Sequence, residues 1–501
     1  MAGKRVMKTI RAAACAVAAF TLTAAAMSPC MVYADVPYDT YSYNYWGDDV
    51  LQPHAYLYTE TLTSASFGTA LTYPEDLFIH EDLLYVADTG NSRILKMDSE
   101  GTISMEITFA RDESDLLNGP KGVYVTEEGH IYVADSGNER IVEFDEDGEF
   151  LREIKRPETD LITESQKFVP TKVVVDNAGR IYAICYGINM GLVEFDRHGE
   201  FQGFMGATEV SVSPFEYMWK NYFSTEAQQE RMETIVPTEY SNIFVDQENF
   251  IYATINNLAS EDYASGADTI RRLNPTGTDV LRRLGNYPIN GDLYSADEDA
   301  KWSSFCDVAS TEYGCYFILD SAGGKIFAYD YDGNSLFIFG QNGSREGNTQ
   351  KPVSLGLSGD ESQIYVLDNL QGSILKFEIT AYGQHVLDAL ALNNIGDSEG
   401  SYAEWQEVLK QNANNELAYV GIGKIALAEG EYKEAMNCFE LGNSKKYYNK
   451  AFYYYRKELM ESGFGKLMAA VGGVVLLVLV IRWAKKLKRW AGEVRCTMSR
   501  H

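Results

Sequence analysis

Cysteine is scarce in this sequence, which holds seven in 501 residues. Cys15, Cys30 and Cys496 lie near the ends, and four lie between them: Cys185, Cys306, Cys315 and Cys438. Cys306 and Cys315 fall on one predicted hairpin, but counting from its turn places them diagonally rather than opposite, which disfavours a disulfide. So few cysteines exclude a dense disulfide framework and favour a fold that is stabilised by packing.

Histidine is also scarce, with six residues, and the sequence offers no Ser, His and Asp grouping and no phosphate-binding loop. Three histidines fall in predicted hairpin turns (His80, His130 and His198), and the others include His54 in a linker and His385 in a helical region. A metal-dependent enzyme needs converging ligands with one open coordination position. We therefore predict no metal site, no catalytic residues and no cofactor.

Positive charge is the third shortage: 43 Lys and Arg stand against 72 Asp and Glu, for a net charge of −29. Residues 1–34 carry four positive charges and residues 482–501 carry a net six, which leaves −39 on residues 35–481. So acidic a surface argues against nucleic acid as a ligand and keeps this part of the chain off anionic lipid.

The sequence does contain a repeat. LYVADTGNSRILKMDSEGTI begins at Leu84, and IYVADSGNERIVEFDEDGEFL begins at Ile131. Each copy is a strand, a polar Asp-x-Gly-Asn corner, a second strand and an acidic glycine turn. A two-stranded unit with a period of about 47 residues cannot bury its own apolar face, so it must stack on copies of itself, as propeller blades do.

Weaker copies follow further along the chain, starting at Ile181, Ile251, Cys315 and Ile364. A short apolar strand precedes every copy, with the alternation that is typical of half-buried strands. Six copies predict an all-β, six-bladed propeller over residues 63–380. The alternating strand from Ala55 to Thr63 is predicted to complete the sixth blade, within a segment 35–62 whose first part, residues 35–50, is predicted to be linker.

The corners ADTGNSRI and ADSGNERI resemble the signature of the NHL repeat, and LDSAGGKI and LDNLQGSI match it in part. This resemblance implies a six-bladed propeller over residues 63–380. The recurring corner residues are interpreted as structural, with each Asp tying its corner and each Arg pairing with the neighbouring blade. They are Asp88, Asn91 and Arg93 in one copy and Asp135, Asn138 and Arg140 in the next.

Acidic turns begin at Asp145, Asp196 and Asp330. They have two interpretations, as calcium loops or as tight turns. We expect tight turns, in which the Asp side chain accepts backbone hydrogen bonds and the glycine takes a positive φ.

Two insertions carry the candidate binding residues. One begins at Ser213 and spaces its aromatic residues as a helix does, and the other begins at Ser295. The candidates are Phe215, Trp219, Tyr222 and Trp302. The alternative is that these side chains merely pack against a blade, since an amphipathic stripe usually faces a core.

From Ala381 the period of the apolar residues changes from two to 3.6, which predicts helices. ELAYVGIGKIALAEGEYKEAMNCFELG, from Glu416, resembles a tetratricopeptide repeat, in which small residues let two helices approach and aromatic residues fill the space between them. The matching positions are Tyr419, Ile422, Gly423, Gly430, Tyr432, Ala435, Phe439 and Gly442. Residues 381–462 are therefore predicted to be tetratricopeptide-like helical repeats, a short α-helical solenoid.

The two ends of the chain carry targeting signals. Residues 1–34 have the basic start, apolar middle and small-residue cleavage site of a signal peptide. Residues 463–483 are predicted to be a single transmembrane helix, followed by a basic tail over residues 484–501. The basic cluster places the tail in the cytoplasm and the propeller and helices outside the cell membrane.

We interpret the chain as a membrane-anchored extracytoplasmic binding or scaffold protein whose propeller and helical surfaces recognise a protein partner. Its layout resembles Gram-positive surface proteins with NHL and tetratricopeptide repeats, which implies a membrane transporter as that partner. The alternative is a metal-dependent lactonase or lyase. Three or more acids and amides converging at the mouth of the central channel would favour the enzyme.

Overall fold

The computed structural model describes residues 36–159, 161–162, 166–188, 190–206, 240–256, 258, 260–295 and 301–498. Their architecture is a six-bladed β-propeller followed by helices, as the sequence predicts. The predicted signal peptide, residues 1–34, lies outside the described residues and stays a prediction.

The blades follow one another in chain order. Before the first blade come β1 (Tyr41–Tyr43), β2 (Asp49–Leu51), β3 (Tyr56–Leu62) and α1 (Ser64–Phe67). The first three blades have four strands each. The first contains β4 (Asp76–His80), β5 (Leu83–Asp88), β6 (Arg93–Met97) and β7 (Ile103–Ile107), and the second contains β8 (Gly122–Val125), β9 (Ile131–Asp135), β10 (Arg140–Phe144) and β11 (Phe150–Lys155). The third contains β12 (Val169–Val175), β13 (Ile181–Tyr186), β14 (Leu192–Phe195) and β15 (Phe201–Met205).

The other three blades are less regular. Within the described residues the fourth has three strands, β16 (Asn242–Val245), β17 (Ile251–Thr254) and β18 (Ile270–Leu273), with α2 (Ser260–Ser265) between the last two. A separate pair, β19 (Leu293–Ser295) and β20 (Lys301–Trp302), leads into the fifth blade. The fifth blade contains β21 (Phe305–Ser310), β22 (Tyr316–Asp320), β23 (Lys325–Tyr329) and β24 (Ser335–Phe339). The sixth contains β25 (Pro352–Leu357), β26 (Gln363–Asp368) and β27 (Ser373–Ile379).

Strand β3 closes the ring. It pairs antiparallel with β27, with Tyr58 opposite Phe377 and Leu62 opposite Ile374, and so becomes the fourth strand of the sixth blade. This pairing confirms the role that the sequence predicts for the segment from Ala55 to Thr63. Closure also covers a sheet edge that would otherwise be free to pair with another chain.

The interpretation of residues 35–50 as linker is wrong. Strands β1 and β2 form a hairpin, and β1 pairs with β24 through Tyr41 and Ile338, so the sheet of the fifth blade has six strands. The hydroxyl groups of Tyr41 and Tyr43 both donate to the carboxylate of Asp292. The partners lie about 250 residues further along the chain, so local sequence patterns do not reveal them.

Helices follow the sixth blade: α3 (Ala381–Ile395), α4 (Ser398–Gln411), α5 (Glu416–Glu429), α6 (Tyr432–Leu441) and α7 (Lys445–Met498). Thr380 caps α3, because its side chain accepts a hydrogen bond from Gly383 N. Helices α5 and α6 approach closely at Gly423, where a Cβ atom would lie 2.7 Å from the Phe439 ring. A small residue therefore sets the spacing of this pair, and the tetratricopeptide resemblance stays a prediction.

Helix α7 is continuous over 54 residues, whereas the sequence predicts a repeat helix and a separate span. Its first turns pack on α6, where the Tyr447 and Phe439 rings stack 5.5 Å apart and Ala451 is fully buried. Further on, the helix is long and apolar enough to cross a membrane, and the apolar side chains of that stretch are exposed. Cys185, Cys306, Cys315 and Cys438 carry free thiols.

Candidate functional site

Six residues, one from the innermost strand of each blade, share one register position in the central channel. Each is paired with the corresponding residue of the second strand of its blade, and these partners are, in blade order, Ala87, Ala134, Ile184, Thr254, Leu319 and Leu367. We call these residues the polar ring: Asp76, Gly122, Lys172, Asn242, Asp307 and Ser354.

Hydrogen bonds connect five of the six blades through this ring. Lys172 Nζ forms an ion pair with Asp76. Ser354 Oγ lies 2.7 Å from Asp307 Oδ2 and 3.2 Å from Asp76 Oδ1, so it bridges the two carboxylates. Asn242 Nδ2 donates to Asp307 Oδ1 at 2.6 Å. The ring is therefore one connected network that spans the channel.

Backbone amides also donate to the two carboxylates, and one of them, Val308 N, lies on the same strand as Asp307 and donates to its Oδ1 at 2.7 Å. Val123 N donates to Asp76 Oδ2 at 2.9 Å, and Leu355 N donates to Asp307 Oδ2 at 2.7 Å. Gly122 supplies the one position without a side chain. A Cβ atom there would lie 2.8 Å from Thr171 O in the next blade, so this position requires glycine.

Burial changes the acid–base properties of the ring. Burial raises the pKa of Asp307 to about 7; Lys172 opposes this rise and Asp76 adds to it. Burial lowers the pKa of Lys172, but the charges of Asp76 and Asp307 outweigh that effect, and the pKa is raised. Lys172 is therefore an ammonium ion at neutral pH. With both carboxyl groups ionised, the ring holds two negative charges and one positive charge.

The ring does not have the composition of a metal centre. Two acids and one amide meet here, which is the convergence that favours an enzyme, but an ammonium group already forms the ion pair with Asp76. Among the described residues, no group of three His, Cys, Asp or Glu side chains is placed to hold a metal ion. A metal-dependent lactonase or lyase needs an open position among several such ligands, and these residues do not provide it.

A cavity of about 510 Å³ opens from the ring along the channel. Two positions beyond the ring, the innermost strands contribute Phe78, Tyr124 and Phe244 to its wall, each partly exposed. The rings of Phe78 and Tyr124 lie 4.7 Å apart. Strand alternation explains this layering, because every second residue of a strand faces the same side.

The rim of the cavity is acidic. Its exposed carboxylates include Glu127, Glu128 and Glu312, and His80 and His130 also lie on it. His130 is held by Glu143, with Nδ1 2.9 Å from Oε1. The sequence places both histidines in hairpin turns but does not reveal that these turns surround the channel.

The repeated corner residues build a different kind of network. Asp88 accepts hydrogen bonds from Thr72 N at 2.7 Å, from Asn91 Nδ2 at 2.8 Å and from Arg93 Nε at 2.8 Å. Arg93 also donates to Ala70 O at 3.1 Å. The Asp therefore ties the corner to the segment that enters the blade, as the sequence interpretation expects.

The second corner repeats this arrangement. Asp135 accepts from Asn118 N, Asn138 Nδ2 and Arg140 Nε at 2.8 to 2.9 Å. Arg140 pairs with Asp115 at 2.8 Å, on the connection that enters its blade. The expectation that each Arg pairs with the neighbouring blade needs correction: both arginines bond within their own blade and to its entering segment, because the corner folds back onto that segment.

The acidic turns are tight turns. Asp145 accepts from Asp147 N at 3.1 Å and from Glu149 N at 2.8 Å, and Gly148 has a φ of 81°. The turns at Asp196 and Asp330 have the same bonds. These hydrogen bonds use the side-chain oxygen within the turn itself.

Of the candidate binding residues, Phe215, Trp219 and Tyr222 lie outside the described residues. Trp302 is described, and its ring stacks on Tyr263 with centroids 5.9 Å apart and an interplanar angle of 7°. Its partner belongs to α2, so this indole packs within the protein in the way that the alternative interpretation states.

A second cavity, of about 570 Å³, lies between the propeller and the helices. Glu416 of α5 lines this cavity, and its carboxylate accepts hydrogen bonds from Tyr45 N at 3.0 Å and from Asn443 Nδ2 at 2.6 Å. Lys424 lies 3.9 Å from Asp332 of the fifth blade. The N-terminal hairpin therefore joins the propeller to the helices, and we call this space the interdomain cleft.

Comparison with known proteins adds a family match for part of the chain. Residues 78–165, which span most of the first two blades, match the SMP-30/Gluconolactonase/LRE-like region. No curated protein matches the sequence.

Similar solved structures share little sequence with this chain. Virginiamycin B lyase from Staphylococcus aureus is 11% identical, with a TM-score of 0.39 over 65% of this chain and 100% of that one. A gluconolactonase from Xanthomonas campestris is 10% identical, with a TM-score of 0.39 over 65% and 99%. A Bacteroides thetaiotaomicron protein of unknown function is 12% identical, with a TM-score of 0.42 over 67% and 80%. At such identities, the activities of these proteins do not transfer to this chain.

Proposed function

We propose that this chain is a membrane-anchored extracytoplasmic binding or scaffold protein that recognises a protein partner through its propeller and helical surfaces. The partner that we propose is a membrane transport system. The continuity of α7 carries this proposal: one helix packs against α6 at Ala451 and then runs into the exposed apolar stretch. A surface on the helices is thereby held at a fixed distance from the membrane.

The interdomain cleft supports recognition of a partner. It lies beside the start of α7, and its lining combines the ammonium groups of Lys445 and Lys446 with the amides of Asn412 and Asn414. Helical repeats of the tetratricopeptide type stack into surfaces that bind other proteins.

Topology is the first test. In intact cells or protoplasts, added protease should remove the propeller and leave an epitope on residues 484–501 protected, because the basic cluster after the span is retained inside. A protected propeller would overturn the proposed orientation.

Partner recognition is the second test. A photoreactive residue in place of Lys446, which lines the cleft, should cross-link to an integral membrane protein in cells. The matched control is the same residue in place of Lys410, which is exposed on α4. Equal cross-linking from both positions would contradict a role for the cleft.

A lactonase or lyase is the second candidate, favoured by the meeting of Asp76, Asp307 and Asn242 at one end of the channel cavity. The purified chain in detergent should nonetheless show no lactone hydrolysis above background, since Lys172 occupies the position beside Asp76. Turnover that a chelator abolishes would establish the enzyme and refute the binding protein.

A further inference from the structure

The polar ring carries a charge imbalance. Its carboxyl groups, Asp76 and Asp307, are 7% and 5% exposed, and Lys172 is their single cationic partner within the ring. Buried charges in proteins are normally paired. When both carboxyl groups are ionised, one negative charge of the ring has no positive partner.

Negative charge also exceeds positive charge among the residues that line the cavity next to the ring. Among the described residues that line it, Lys172 is the only Lys or Arg, while the rim carries Glu127, Glu128 and Glu312. Phe78, Tyr124 and Phe244 form aromatic wall between the ring and the rim. The faces of aromatic rings attract cations, most strongly where water is excluded.

We propose that this cavity binds a small organic cation, a protonated amine or quaternary ammonium with an apolar body, whose charged head faces Asp307 and whose body packs on Phe78, Tyr124 and Phe244. The size suits such a ligand, because cavities for small molecules measure roughly 300 to 1,000 Å³. A divalent metal ion fits less well, since the described residues offer no group of three charged ligands. This inference concerns the channel rather than the interdomain cleft, so it does not depend on the proposed membrane partner.

The test uses calorimetric titration of the full chain in detergent at pH 8, where Asp307 is ionised. Two probes carry the required charge: phenethylammonium and tetramethylammonium. Two probes of similar shape to the first do not: 2-phenylethanol is neutral, and phenylacetate is anionic. We expect both cations to bind with one site per chain and neither of the other probes to bind.

Two variants locate the site. D307N removes one negative charge from the ring, and F244A removes an aromatic face from the wall; each should weaken phenethylammonium at least tenfold. The control, E113Q, removes a negative charge from an exposed position outside the cavity and should bind as the wild type does. Melting curves show whether the three variants are folded. If D307N does not fold, F244A still tests the site.

Two outcomes overturn the inference. One is binding of 2-phenylethanol as tight as that of phenethylammonium, which would make the cavity an apolar site without charge recognition. The other is no binding of either cation to the wild type, in which case a proton on Asp307 balances the ring. Loss of binding in E113Q equal to that in D307N would also contradict it, because long-range charge would then explain the effect.

Discussion

The corners and the polar ring occupy equivalent places in successive blades, but they differ in what they repeat. An Asp ends the second strand in four blades, at Asp88, Asp135, Asp320 and Asp368, and in each it accepts a backbone amide from the segment that enters the blade. The ring changes its residue from blade to blade, through acid, glycine, lysine, amide, acid and hydroxyl. A residue that recurs at the same place in several blades has a structural role. A position whose residue changes from blade to blade is where this chain has a chemistry of its own.

The largest expected effect comes from breaking a corner. D135A leaves the guanidinium of Arg140, whose side chain is 5% exposed, without its innermost carboxylate. Removing one partner of a buried pair costs about 3–5 kcal/mol. Denaturant unfolding followed by circular dichroism measures this loss, and D147A, in an exposed turn of the same blade, is the control. Equal stability of the two variants would contradict the structural role of the corner.

K172M tests the ring with a side chain of similar length and no charge. At pH 8 it removes the ammonium partner of Asp76 and Asp307, so the ring must either keep unpaired negative charge or take up a proton, for a loss of about 3 kcal/mol. At pH 5 the loss should be smaller, because Asp307 is then protonated and neutral and no longer needs a positive partner. Unfolding at both pH values measures the difference, and a loss that is independent of pH would show that the ring is not an electrostatic unit.

G122A tests the position that has no side chain. Its added Cβ would lie 2.8 Å from Thr171 O, a backbone atom that cannot rotate away. Overpacking of this kind costs about 1–3 kcal/mol. G359A is the matched control, because a Cβ atom there meets its nearest neighbour, Asp82 Oδ1, at 3.5 Å. The melting temperature should fall for G122A alone, and an equal fall for both glycines would remove the argument for a crowded ring.

D307N gives the most specific effect, a change in the pH dependence of stability. The pKa of Asp307 is raised in the folded chain to about 7, so between roughly pH 4 and 7 the folded state holds a proton that the unfolded state releases. The contribution of this group to stability therefore falls as pH rises through that window, by at most about 1.4 kcal/mol per pH unit. D307N lacks this slope, so its stability relative to the wild type should improve from pH 5 to pH 8. A constant difference would contradict the raised pKa.

The corners can be predicted from the sequence because the same short motif is repeated there, as ADTGNSRI and ADSGNERI. Sequence reasoning also finds the closing strand β3, because Tyr58 and Leu62 belong to an alternating segment that lies before the first blade and so is left to pair with the last one. It misses the ring, although the sequence contains a signal for it. That signal is the residue directly before the apolar run of the innermost strand, which can be compared across all six blades. Reading that position down the copies gives Asp76, Gly122, Lys172, Asn242, Asp307 and Ser354.

Other features could not be predicted in this way. The hairpin of β1 and β2 depends on Ile338 and Asp292, which lie far along the chain, so no local pattern links them to Tyr41. The volume of the channel cavity likewise depends on how six separate strands converge. The candidate residues Phe215, Trp219 and Tyr222 remain predictions.

Metal binding by the full chain tests the central claim most directly. Lys172 supplies the cation of the ring, so the wild type purified in detergent should contain no stoichiometric metal and show no saturable calorimetric binding of Ca²⁺ or Zn²⁺. One equivalent of tightly bound metal in the wild type, lost in D307N and retained in E113Q, would contradict the account. It would place a metal centre in the channel and favour the lactonase or lyase.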